Sequence, residues 1–419
     1  MSPDEYMALD GAGLADLVRR EETSAPELVE AAIARIESLN PSLNAVIETR
    51  FAEAREAALR ADPRAPLCGV PFLAKDMNIE IAGMRLTFSC RWLKELPPAD
   101  ADAPLASRWR NAGLSILGRT NTPEFAGEFV TEPTWRGATR NPWDLTRSPG
   151  GSSGGAAAAV ASGMVPIAHG TDSGGSIRVP ASACGLVGLK PSRGWVPVGP
   201  NQDELAGGLD CEHVLTRTVR DTALMLDLTA GPEATSRVPL CPPRGAFSRA
   251  LSERPGRLRI AVIERPPGGA APNEEMGTAL EETARHLEQA GHALRRAVFP
   301  ASADIGREAG TIWLSAIAEE VDFYRGRVGR MADRAELEAL TWAAIELGNR
   351  CSAVDFLRAR RALTQATREM AGRRLEGCCD LLVGYFTPGG ALDDGDPQRH
   401  GTLVQGRREA SDGRTQRYA

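Results

Sequence analysis

The chain has 419 residues, 42% of them hydrophobic and 25% charged, enough to bury a substantial core in one large α/β domain or two smaller ones. Its 49 basic and 55 acidic residues leave a net charge of −6 with no basic cluster interleaved with aromatics, so no nucleic-acid partner is expected. No apolar run approaches the roughly 20 residues that span a bilayer, and the acidic start MSPDEYMALD lacks the order of a signal peptide, so a cytoplasmic location and no membrane partner are expected.

In chain order, residues 10–66 read as helices and 1–66 as an N-terminal helical layer. Ser24 and Glu27 fit a capping box, and Leu28, Ala31, Ala32 and Ile36 keep one face apolar behind it. From 67 to 200 the short apolar runs GVPFLA, LSILG and VPIAHG alternate with helical or Gly-rich stretches, the pattern of an α/β sheet whose loops carry chemistry. Residues 229–257, rich in Pro, Arg and Ser, read as a linker within a single large domain over 67–419. RLRIAVIE then reads as a strand, 274–291 as a helix and most of 303–375 as further helices. The polar, Gly-rich end, about 389–419, carries no periodicity and is expected to be loosely ordered. No internal repeat is present. Eight scattered cysteines make no disulfide framework, and the one close pair, Cys378 and Cys379, is adjacent rather than at metal-ligand spacing. Reduced thiols and no metal are the expectation.

The basic residues are sharply biased: 46 are arginine and three are lysine, at Lys75, Lys94 and Lys190. A guanidinium stays protonated, whereas a desolvated ammonium can lose its proton, so proton transfer is one reason to retain a lysine. Two Gly/Ser stretches stand out beside it. In HGTDSGGSIRVPASACG, residues 169–185, Gly174 and Gly175 precede Ser176; such glycines let the backbone turn and aim successive amides into one concavity. In RSPGGSSGGAAAAVASG, residues 147–163, Ser152 and Ser153 sit in a glycine cradle before a small-residue helix. Alone, that stretch reads as a phosphate loop or a plain turn more often than as a catalytic one, though GxxxxGK[ST] is absent.

Together, GVPFLAKD at 69–76, GGSSGG at 150–155 and GTDSGGSIRVPASACGLVGLKPSRG at 170–194 resemble the amidase signature family of serine hydrolases, which use a Ser-cisSer-Lys triad. The resemblance runs from about residue 20 to about 230 and includes GRTNTPEF, RNPWD and LTRTVRDTA. The wording EFVTEP and AHGTDSGGSIRVPAS is most similar to the branch of cyclic-amide and oligoamide hydrolases. It implies an α/β fold, a mixed central sheet flanked by helices on both sides, and amide-bond hydrolysis without metal or cofactor. Position by position, Ser176 corresponds to the nucleophile, Ser152 to the bridging serine and Lys75 to the base; the 24-residue spacing of the two serines fits the family.

The chemistry requires these residue types. A serine hydroxyl is a poor nucleophile until a base takes its proton, and a desolvated lysine flanked by hydroxyls can be neutral near pH 7 and do so. Ser152 would pass the proton. The backbone N–H groups of Ser173, Gly174, Gly175 and Ser176 would hold the oxyanion, each such donor contributing roughly 3 kcal/mol. Ser153, Asp172 and Arg178 are assigned to support, with a buried structural ion pair an equal reading of Asp172 and Arg178. Gly127, Phe129 and Gly151 fall where members of the family line the substrate pocket, although Phe129 also reads as a core residue. His169 reads as structural rather than as a Ser-His partner, Lys94 as a surface charge, Lys190 as structural and Cys184 as a small core residue.

Members of the family usually continue beyond wording like CDLLVGYFTPGG into an apolar segment with a Gly-x-Pro-Ala core, which this chain replaces with an Arg-rich polar tail. The expectation is an open sheet edge, a wider pocket, or apolar surface hidden by a partner, hence a homodimer. The substrate is a small-molecule amide or ester. Two other classes remain open: an acyltransferase or amide synthase using the same acyl-enzyme, and an inactive, partner-dependent binding subunit. A glutamine amidotransferase is disfavoured because Val179 stands where that branch has Gln.

Overall fold

The computed structural model describes residues 1–233, 247–264, 273–298, 305–373 and 381–384. Helices α1 (Pro3–Ala8), α2 (Gly11–Arg19) and α3 (Ala25–Leu43) open the chain. The capping box at α3 is present in full: the Ser24 hydroxyl accepts from the Glu27 N–H while Glu27 accepts from the Ser24 N–H. The buried stripe of α3 is Leu28, Val29, Ala32, Ile33 and Ile36. Each large side chain there contributes roughly 2 kcal/mol by leaving water.

The reading of 10–66 as helical misses one strand. Asn44 ends α3 in the left-handed conformation (φ 49°), and the chain enters β1 (Val46–Thr49) before α4 (Phe51–Leu59). The Asn40 side chain makes this corner, accepting from the N–H groups of Ala45 and Val46 and donating to the Val46 carbonyl. Four residues are too few for a period to emerge.

The next strands are β2 (Pro71–Lys75) and, after α5 (Pro104–Asn111), β3 (Ser115–Thr120). Then follow α6 (Gly154–Ala161), β4 (Ile167–Thr171), α7 (Arg178–Cys184), the short β5 (Val187–Gly188), β6 (Glu212–Thr216) and α8 (Val219–Thr229). They form one six-stranded sheet in the order β1-β3-β2-β4-β6-β5. It is mixed: β2 runs parallel to β3 and β4, whereas β1 and β6 run antiparallel to their neighbours. The main core packs α3, α6 and α8 on this sheet. Every residue of α6 from Gly154 to Val160 is buried, which its small side chains permit.

The second half begins with α9 (Phe247–Ala250) and β7 (Arg259–Ile263), the strand predicted in RLRIAVIE. Helix α10 (Glu274–Gln289), strand β8 (Ala293–Ala297) and strand β9 (Leu381–Gly384) build a three-stranded parallel sheet in the order β8-β7-β9. Between β8 and β9 run α11 (Ile305–Val328), α12 (Ala339–Gly348) and α13 (Ala353–Arg373). A second core cluster, including Phe88, Trp92, Phe125 and Tyr324, fastens α11 and α12 onto the loops that follow β2 and β3. Part of the linker-like stretch (234–246), the cysteines 378 and 379, and the polar end 389–419 lie outside the described residues. No helix among the described residues is long and apolar enough to cross a membrane.

Candidate active site

Three strand ends meet on one side of the large sheet. Lys75 closes β2, Thr171 closes β4, and Glu212 opens β6 opposite Thr171 in the antiparallel register. The carboxyl ends of parallel strands are where α/β sheets place ligands. A groove of about 730 Å³ lined by Arg60, Arg64, Arg110 and Ser115 lies at the opposite end of β3 and is not part of this site.

Lys75 is wholly buried, as are Ser152 and Ser153. Its Nζ donates to Ser152 Oγ at 2.7 Å and to Thr171 Oγ1 at 2.8 Å. Burial pushes the Lys75 ammonium down to about 8, while Asp210, Glu212 and Asp172 pull the other way. The two serines of the cradle therefore separate in role. The Gly151–Ser152 peptide bond is cis, and the Ser152 hydroxyl meets the lysine. Ser153 instead turns its hydroxyl between the Thr171 N–H (3.2 Å) and the Thr171 carbonyl (3.3 Å), and its own N–H donates to the Ser176 carbonyl at 3.1 Å. It ties the Ser176 loop to the end of β4.

Ser176 is 6% exposed at the start of the turn into α7. Gly175, before it, has φ 139°, a conformation an L side chain rarely adopts, so glycine is required there. Among the described residues, no protein group accepts a hydrogen bond from the N–H of Ser173, Gly174, Gly175 or Ser176. The next two N–H groups are occupied: Ile177 and Arg178 donate to Asp172 Oδ2 at 3.2 and 3.3 Å. Arg178 closes a two-pronged pair on the fully buried Asp172, Nε to Oδ2 at 2.8 Å and Nη2 to Oδ1 at 2.7 Å. Asp172 thus pins one side of the loop and leaves the other with unused donors.

Gly174 is exposed, and a Cβ built there would lie 3.5 Å from the Phe129 ring. Phe129 is half-buried, and Gly127 lies against the Trp313 ring carried by α11. Gly151 has a packing reason for its identity: a Cβ there would come within 2.8 Å of the Phe129 and Val130 backbone.

Thr171 is the partner of Lys75 that the sequence reading passed over. The alternation of β4 could have found it, since His169 and Thr171, two residues apart, share the face turned to Lys75. His169 is fully buried and far from a nucleophile's role: Nδ1 accepts from the Lys75 N–H at 3.3 Å and Nε2 meets Glu212 Oε2 at 2.6 Å. Asn78 Nδ2 joins Glu212 Oε1 at 2.7 Å to Asp210 Oδ2 at 3.1 Å. Burial pushes both carboxyls up to about 7 and holds His169 well below its usual range. Lys190 donates to Cys211 Sγ at 3.1 Å and to the Pro191 carbonyl, as a structural lysine does, and Cys184 is buried. Just past β2, Asp76 accepts from the N–H groups of Thr87 and Ser89 and from the Thr87 hydroxyl. Arg119 donates to the Lys75 carbonyl at 3.0 Å. These bonds fix the backbone on both sides of the lysine. Among the described residues, no group of His, Cys, Asp and Glu side chains is arranged to hold a metal ion.

The family model described as Amidase matches residues 27–407. The 6-aminohexanoate-cyclic-dimer hydrolase of Paenarthrobacter ureafaciens is 39% identical over 386 residues, covering 89% of this chain and 76% of that protein. A solved structure of 6-aminohexanoate cyclic dimer hydrolase superposes with a TM-score of 0.87 at 34% identity, over 95% of this chain and 84% of that one. A bacterial aryl acylamidase of the amidase signature enzymes superposes with a TM-score of 0.84 at 28% identity, over 97% and 84%. With most of its length matched in sequence and in fold, the chain belongs to the amidase signature family, and it is an amidase.

Proposed function

We propose that this amidase cleaves amides through an acyl-enzyme on Ser176, with Ser152 and Lys75 as the proton relay. The observation that carries the reading is the 2.7 Å contact between the buried Lys75 Nζ and Ser152 Oγ, on the loop tied to Ser176 by the Ser153 N–H. Neutral Lys75 accepts the Ser152 proton, Ser152 accepts that of Ser176, and Ser176 Oγ bonds to the amide carbon. The N–H groups of 173–176 receive the oxyanion. As the C–N bond breaks, the relay returns a proton to the leaving amine. Water then repeats the sequence on the ester.

For substrate, the likeness to hydrolases named for a cyclic dimer supports small linear and cyclic aliphatic amides. The test is incubation with 6-aminohexanoate cyclic dimer, with and without hydroxylamine, and mass spectrometry of the products. Ring opening to the linear acid supports hydrolysis. Hydroxamate formed to the exclusion of acid assigns the chain to acyl transfer instead.

Exposed apolar side chains at Leu347, Val354 and Leu357 support a homodimer, which light scattering tests against a monomer. Five free thiols among the described residues support a reducing, cytoplasmic location.

A further inference from the structure

Beneath the relay lies a chain of buried groups that the hydrolysis just described leaves unused. The Lys75 N–H donates to His169 Nδ1, so the ring proton sits on Nε2 and faces Glu212 Oε2. Asn78 then bridges Glu212 to Asp210. His169 and Glu212 are wholly buried and Asp210 is 6% exposed. Holding His169 in place needs one acceptor. Two carboxyls sharing one amide nitrogen exceed that need, and burying them is costly unless their charge serves something nearby. The only lysine in reach of both is Lys75, whose ammonium they stabilise.

We propose that Glu212 is a positioning residue of this amidase, fixing the Lys75 backbone through His169 and, together with Asp210, supplying the negative charge that holds the proton Lys75 takes from the relay. The inference rests on Lys75 acting as the base. When the Ser176 oxygen bonds to the carbonyl carbon, the serine proton moves through Ser152 and an ammonium forms on the wholly buried Lys75 side chain. Glu212 and Asp210 offset that charge and release the proton again as the amine leaves. Nothing is oxidised or reduced.

Other charges face the same groups. Asp172 also acts on Lys75 but is matched by Arg178. Arg119 faces His169 from β3, Glu320 faces Asp210 from α11, Lys190 lies at Cys211, and His213 neighbours His169. All of them stay in place in the variants below.

The test follows the rate of Ser176 phosphonylation by a fluorophosphonate between pH 5.5 and 10, which requires no knowledge of the natural substrate. Glu212→Gln keeps a carbonyl acceptor for His169 and removes a charge; Asp210→Asn does the same beside Asn78. Loss of a neighbouring negative charge disfavours the ammonium, so the acid limb of the profile should move down by about one pH unit in each. The plateau should fall about tenfold, because a weaker base remains. Glu212→Asp, which keeps the charge, should return the limb toward its original position. A limb that stays at the wild-type pH in both Glu212→Gln and Asp210→Asn, while Lys75→Ala is unreactive, overturns this inference and leaves the relay standing. A reactive Lys75→Ala overturns the relay itself. Should Glu212→Gln fail to fold, Asp210→Asn alone decides.

Discussion

Replacing Lys75 by Arg separates a base from a charge. In the native site burial holds the ammonium at about 8, so roughly one-tenth of the molecules carry a neutral amine at pH 7 and most do at pH 9. The reactivity of Ser176 should therefore climb about tenfold per pH unit below 8 and level off above 9. A guanidinium keeps its proton throughout that range. Lys75→Arg should lose the whole contribution of general-base catalysis, about 100- to 10,000-fold, or roughly 3–5 kcal/mol of barrier. Lys75→Met, of similar length and uncharged, should lose as much. The assay is the second-order rate of phosphonylation by a fluorophosphonate, followed across pH, with circular dichroism confirming that each variant is folded. An arginine variant that kept more than about a tenth of the wild-type rate, a loss of only about 1.4 kcal/mol, would make Lys75 a charge anchor and refute the relay.

Gly151→Ala places a methyl group within 2.8 Å of the Phe129 and Val130 backbone, so overpacking should lower stability by about 1–3 kcal/mol in a denaturant titration and misplace Ser152. Arg178→Ala leaves the fully buried Asp172 without its cation and should cost about 3 kcal/mol, with Arg178→Lys recovering part of the loss by one contact instead of two. Phe129→Ala should widen the mouth beside Gly174 and shift selectivity toward bulkier acyl groups in a panel of anilides; unchanged selectivity with a large drop in stability would mark Phe129 as a core residue.

The three residues of the proposed relay could be singled out in the sequence because each sits in a local pattern. Lys75 ends a predicted strand and is one of three lysines among 46 arginines, and both serines lie in glycine-rich turns, where the backbone is free to approach a neighbour closely. What the spacing conceals is the three-dimensional pairing: Lys75 and Ser152 are 77 residues apart and meet only once the sheet forms. The acid network was invisible for the same reason, since Asn78, His169, Asp210 and Glu212 come from three segments with nothing in their neighbours to mark them. Trp313 reaches Gly127 across the second core cluster, which no local pattern forecasts. Strand β1 was lost to its length, its hydrogen bonds being satisfied by β3 and by the Asn40 side chain.

The proposed relay on Ser176 is tested most directly by intact mass after exposure to a fluorophosphonate, followed by mapping of the modified peptide. A single adduct on Ser176 is expected, absent from Ser176→Ala, whose fold should be unchanged because its carbonyl, which receives the Ser153 N–H, is retained. Labelling that persists in Ser176→Ala on another serine, or no labelling of the folded wild-type protein at any pH up to 10, would contradict it.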